Sequence, residues 1–172
     1  DVIHFFSEVD NRDNATLSLD NFDLTIRGVP VVSISDSQNV YIHPSGEEVT
    51  LRKNKDFLFS GRVKAGLFEF QAKDCSFEYD TFKLNMPTIE NVRFKVRAFE
   101  KDENGFAPLV DVKTQISNIS GNMLIDHPDN KNGLKDFPQY PIFTSQTESY
   151  VYYDQDSALK EAYNRERFYF YI

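Results

Sequence analysis

The residues best suited to chemistry are few in this chain and far apart. They are three histidines, His4, His43 and His127, one cysteine, Cys75, and 27 acidic side chains. A catalytic zinc site draws its ligands from close spacings such as His-Glu-x-x-His, and none of the three histidines has that company. His43 and His127 each precede a proline, which places them in turns. A nucleophilic cysteine needs an electropositive setting and a histidine partner. Cys75 instead falls in the apolar phase of an alternating stretch, which predicts a small core residue.

The acids are no more convergent. In Asp-His-Pro-Asp-Asn-Lys-Asn-Gly (126–133), Asn130, Asn132 and Gly133 would suit the interior of a calcium loop. Pro128 and Gln139 then occupy the first and last ligand positions, where carboxylates belong. Asp126 and Asp129 leave a looser calcium site as an alternative, and a solvated turn is the favoured reading. Glu47-Glu48 or Asp154 with Asp156 could act as glycosidase carboxylates only at a separation that sequence does not give. Nucleophile elbows, phosphate-binding loops and dinucleotide glycine motifs are missing from the sequence. The chain therefore reads as non-enzymatic, with no metal and no cofactor. Asn14-Ala15-Thr16 and Asn118-Ile119-Ser120 match the glycosylation sequon, a match that arises readily by chance.

Charge narrows the partners. The net charge is −8. Basic residues are scattered singly, and the densest patch, Arg52-Lys53-Asn54-Lys55, runs straight into Asp56. Nucleic-acid binding needs clustered cations, so it is excluded as an expectation, and adsorption to an anionic membrane is disfavoured. No apolar run approaches the roughly 20 residues that span a bilayer as a helix. A single cysteine leaves no disulfide within the sequence and assigns no redox compartment.

The elements that must position all this are strands. The 172 residues include 16 Phe and 9 Tyr but no Trp, and apolar side chains recur at every second position. Leu17 and Leu19, Leu24 and Ile26, Val32 and Ile34, and Val40 and Ile42 alternate in this way. So do Phe57, Phe59, Val63 and Ala65, then Phe68 and Phe70, Cys75 and Phe77, Phe82, Leu84 and Met86, and Val92, Phe94 and Val96. Weaker strands follow at Val110, Val112 and 116–125. Turn chemistry punctuates the runs at 10–14, 43–48, 101–105 and 126–133. Where the alternation changes phase, a bulge or turn is required. At Gly66 either fits, whereas at Asp20-Asn21 the preceding run is short and a bulge or bent strand is expected. Only 154–166 carries helical signals, predicting one short C-terminal helix before a last strand near 168–172. The expected fold is all-β, an antiparallel or repeat-type sheet or a sandwich.

One pattern links distant parts of the chain. Residues 15–34 lie over 75–94 without a gap, with identity at Asp20/Asp80, Phe22/Phe82, Leu24/Leu84 and Val32/Val92. Apolar character is kept at Leu17/Phe77, Ile26/Met86, Val29/Ile89 and Ile34/Phe94. Fixed-period similarity of this kind predicts a repeated supersecondary unit. Residues 1–56 then form the tail of a preceding unit and 57–172 a full unit with a Tyr-rich extension, both sharing one core. The start at Asp1 and the stop on an apolar strand are read as cuts in a longer polypeptide.

Two surfaces follow as binding candidates. A Tyr-rich segment with Tyr140, Tyr150, Tyr152 and Tyr153 offers rigid amphipathic rings, the chemistry of glycan recognition. Phe68, Phe70, Phe82 and Leu84 would line an apolar groove if that strand face stays open to a lipid.

Residues 57–172 also resemble a recurring segment of very large, uncharacterised envelope proteins of Bacteroidota. The resemblance rests on Phe59-Ser60-Gly61-Arg62-Val63-Lys64-Ala65-Gly66, on Tyr140-Pro141-Ile142-Phe143 with Ser149-Tyr150-Val151-Tyr152-Tyr153-Asp154, and on Arg167-Phe168-Tyr169-Phe170. The pattern around Phe59–Gly66 is more remotely similar to AsmA/TamB-type β-groove proteins. The resemblance implies a periplasmic or envelope location, neighbouring repeats of the same polypeptide as partners, and a structural or binding role without catalysis. Through the remoter likeness it implies lipid carriage along a groove.

Overall fold

A computed structural model describes residues 3–10, 12–112, 115–116, 119–148, 150–152 and 169–171. Alternation over most of this length produces an antiparallel sheet of fifteen strands. In chain order these are β1 (His4–Phe5), β2 (Ala15–Leu17), β3 (Leu24–Arg27), β4 (Val32–Ser35), β5 (Val40–Pro44) and β6 (Glu48–Leu51). The long central strands follow: β7 (Phe57–Ala65), β8 (Phe68–Glu78) and β9 (Lys83–Arg97). After them come β10 (Leu109–Asp111), β11 (Gln115–Ile116), β12 (Ile119–Leu124), β13 (Ile142–Ser145), β14 (Tyr150–Tyr152) and β15 (Tyr169–Tyr171).

The short strands are segments of longer runs. β1 and β2 pair along β4 and β3, which pair along β5 and β6, which together pair along β7. β8 and β9 continue the meander, and β10, β11 and β12 lie end to end along β9. β13 and β14 pair along β12 and β11, and β15 closes the order beside β14. Each run therefore neighbours the run before it and the run after it. The sheet crosses the expected 56/57 division without a break, and the buried cluster draws on both sides of it.

A meander has two faces, and here they differ. The inner face carries Val32, Val40, Ile42, Phe57, Phe59, Val63, Phe70, Phe77, Leu84, Met86 and Ile89, all buried. The outer face carries polar side chains tied by cross-strand ion pairs: Arg27 with Glu48 at 3.3 Å, Lys73 with Glu90 at 2.6 Å, and Lys83 with Glu78 at 3.0 Å. Among the described residues the only α-helix is α1 (Pro128–Lys131), too short to cover such a face. The sheet covers itself. Phe70 on β8 and Phe143 on β13 are three strands apart, about 14 Å in a flat sheet, yet their rings meet at 5.0 Å. Gln38, in the turn between β4 and β5, likewise donates to Asp126, beyond β12, at 3.3 Å.

Bulges permit this curl. The β7–β8 register shifts between Phe59 and Gly61, with Asp74 at φ 54 on the longer side. The β8–β9 register shifts between Gln71 and Ala72, and the β12–β9 register between Ile119 and Gly121. Each adds a residue on one strand, bends it, and strengthens the local twist. Pro87, which donates no backbone hydrogen bond, sits inside β9 beside the last of these shifts.

Gly66 and Leu67 form the two-residue turn between β7 and β8, with Gly66 at φ 57 as a left-handed position requires. The expectation at Asp20-Asn21 needs correction. Residues 15–27 form a hairpin, with Ala15 opposite Ile26 and Leu17 opposite Leu24. A three-residue arm suffices because β6 holds β3 from its other side, so the hairpin does not stand alone. The helix predicted over 154–166 lies outside the described residues. Residues 128–131, where turn chemistry predicts a plain turn, form the helical turn α1; His127 Nδ1 caps it by accepting the Asp129 amide at 3.1 Å.

Candidate functional site

The inner face is sealed in the middle of the sheet and hollow beside it. A cavity of about 490 Å³ lies between the Gly66 ends of β7 and β8 and the strands β11, β12 and β13. Ala65, Phe68, Phe70, Val92, Met123 and Phe143 form much of its wall, with Ile116, Ile119 and Pro141. Among the described residues Ser145 is the sole polar side chain in the lining, and its hydroxyl donates to the Thr147 carbonyl at 2.7 Å. The size suits a small organic ligand, for which pockets run from about 300 to 1,000 Å³.

Local sequence explains the shape. Gly121 lets the Phe143 ring lie flat across β12, because a Cβ there would sit 2.5 Å from that ring. Phe143 so placed leans towards Phe70 and forms one wall. Phe68 forms the rim, stacked on Phe94 at 5.4 Å and on Phe70 at 6.2 Å, and is 47% exposed. The rim thus links the cavity to the surface through an aromatic side chain.

The four residues named as a groove from sequence part company. Phe68 and Phe70 line the cavity. Phe82 and Leu84 do not, being packed in the dry core, where Phe82 meets Phe77 edge-on at 5.4 Å. They sit where β9 is flanked by β8 on one side and β12 on the other, a pairing that extends to the turn, where Ile125 donates its amide to the Phe82 carbonyl. Ile116, Ile119, Met123 and Phe143 are among the lining residues missed by sequence reasoning, as are Ala65, Val92, Pro141 and Ser145. The sole signal was the weak alternation of 116–125, since a partner three strands away leaves no local trace.

The Tyr-rich candidate is described in part. Tyr140 is half-buried, with its ring 6.0 Å from that of His127. Tyr150 and Tyr152 lie on β14 between β11 and β15. Tyr153 lies outside the described residues.

The groups that could do chemistry are dispersed. His4 is on β1, His43 on β5 and His127 at the cap of α1. Cys75 is fully buried, and burial, with Asp74 beside it, pushes its thiol up to about 12. At neutral pH it is a thiol and an apolar space-filler. Asp126, weighed above as a calcium ligand, is buried and organises its own loop. Its Oδ1 accepts from Asn130 Nδ2 at 2.8 Å and from the His127 amide at 2.8 Å, besides Gln38. No group of three metal-ligating side chains occurs among the described residues. Glu48 is paired with Arg27, and Asp154 and Asp156 lie outside the described residues.

Comparison of the chain with family models, with curated proteins and with solved structures returns no match.

Proposed function

We propose that this chain is a non-catalytic binding module that takes an elongated apolar ligand, such as a fatty acyl chain, into the cavity behind Phe68. The observation that carries this reading is the cavity of about 490 Å³, lined among the described residues by apolar side chains and Ser145, with no titratable group. A ligand held there gains mainly by removing apolar surface from water, about 25 cal/mol per Å². No charged headgroup partner is needed inside, and a polar end would rest at the Phe68 rim. The remote resemblance to β-groove proteins supports the same ligand class. The wider resemblance supports reading the module as part of a longer exported envelope protein, beside neighbouring units of its own kind.

Binding of a fluorescent polyene fatty acid tests the proposal, read by its emission and by competition with unlabelled fatty acid. Wild type is expected to bind saturably. Val92→Trp, which fills the cavity, is expected to weaken binding at least tenfold, about 1.4 kcal/mol. Arg62→Gln, on the outer face, is expected to leave it unchanged. Equal binding by Val92→Trp, with its melting temperature retained, would remove the proposal.

A further inference from the structure

The similarity between residues 15–34 and 75–94 reappears in three dimensions as a matched pair of hairpins. In the first, Leu17 faces Leu24 and Thr16 faces Thr25; in the second, Phe77 faces Leu84 and Ser76 faces Asn85. Both turns carry phenylalanine at a left-handed position, Phe22 at φ 60 and Phe82 at φ 52. Register, turn length and the unfavourable backbone angle all coincide at the sixty-residue offset.

What differs is the far edge. In the second hairpin β7 lies against β8, placing Phe57 opposite Phe77 and Phe59 opposite Cys75. The Phe57 and Phe77 rings stack at 4.9 Å. In the first hairpin β2 pairs with β3 alone among the described residues. Leu17 is accordingly 50% exposed, where Phe77 is fully buried.

The second hairpin is therefore a template for what the first lacks. We infer that the free edge of β2 is a docking site for an antiparallel strand of β7 type from a neighbouring unit. Two aromatic side chains two residues apart would lie opposite Leu17 and Ala15. This inference rests on the hairpin correspondence and is independent of any ligand in the cavity.

Backbone geometry says which groups await that strand. The Ser18 amide donates to the Asp23 carbonyl, and the Asn14 carbonyl accepts from Arg27, so residues 14, 16 and 18 face β3. Ala15 and Leu17 then point their N–H and C=O groups outward, as Cys75 and Phe77 point theirs at β7. Such an edge, with alternate side chains on an apolar face, is the geometry of strand addition.

The experiment adds a peptide with the Phe57–Ala65 sequence, flanked by lysines for solubility, to the isotope-labelled protein and follows amide hydrogen exchange. The Ala15 and Leu17 amides are expected to slow at least about tenfold, with Thr16, already bonded to β3, unchanged. A peptide carrying Phe57→Ser and Phe59→Ser is expected to give no protection. Ala15→Pro in the protein is expected to abolish the effect without lowering its melting temperature, because the fold does not use that N–H. Unchanged exchange at Ala15 and Leu17, or equal protection by the serine peptide, overturns the inference. So does self-association of the protein alone that Ala15→Pro removes, which would assign the edge to copy–copy contact.

Discussion

The hairpins at 15–27 and 75–86 put the same alternation, with Asp20/Asp80, Phe22/Phe82 and Leu24/Leu84 in common, into two environments. Alternation, turn residues and register are shared, so these follow from local chemistry. Burial is not shared. Ala15, Leu17 and Phe22 are exposed, while Cys75, Phe77 and Phe82 are sealed. The second hairpin has β7 paired along β8 and β12 paired along β9. The lesson is that strand pairing here is written locally, whereas core membership depends on how many further runs lie to either side.

The two hairpins should differ most at their apolar centres. Phe77→Ala is expected to cost about 3–5 kcal/mol, since it empties space within the dry core. Leu17→Ala is expected to cost no more than about 0.5 kcal/mol, as at other exposed sites. Urea titrations of the two variants check this, and similar losses would mean that the first hairpin is already covered.

Thiol reactivity gives the next largest contrast. With its pKa pushed up to about 12, Cys75 is expected to resist alkylation at pH 8. A cysteine placed by Ala15→Cys should titrate near the ordinary value of about 8.5 and react at least roughly a thousandfold faster. Mass spectrometry of the labelled native protein reads both sites.

The turns should respond with opposite sign. Both phenylalanines occupy left-handed backbone positions, where glycine relieves strain of the order of 1 kcal/mol. Phe22→Gly is expected to stabilise by up to about that amount, for its ring is 54% exposed. Phe82→Gly is expected to destabilise by about 2–3 kcal/mol, because a buried ring packed on Phe77 is lost. Thermal melts of the two variants should move in opposite directions.

The smallest effect separates the hairpins by pH. Lys83 opposite Glu78, helped by Asn85, holds that carboxyl below the usual carboxylate range. A depressed folded-state pKa stabilises above the unfolded value and is lost as pH falls through the folded one. Acidification from pH 5 to 3 should therefore cost wild type slightly more than Glu78→Gln. The difference stays below about 1 kcal/mol because the pair is partly exposed.

How much of this was legible beforehand follows the same division. The strand class, the turn at Gly66 and the apolar setting of Cys75 are local properties, readable from alternation, glycine and phase. The loop at 18–23 was misread because the partner that supports its short arm, β6, is more than twenty residues away. The cavity was half legible: Phe68 and Phe70 declare themselves by alternation. Phe143 declares itself only through Gly121, whose missing side chain makes sense once the ring lies over it. Leu84 has the same local pattern as Phe70 and a different fate, decided by the curl.

One feature of the sheet reaches beyond its stability. Because runs follow one another in space as they do along the chain, each pairs with its neighbours in chain order, and no crossover occurs among the described strands. Such a ribbon is extensible. Duplicating a pair of runs would lengthen it without requiring any existing strand to change partners inside. A family of chains built this way could vary in span as freely as a zip varies in its number of teeth.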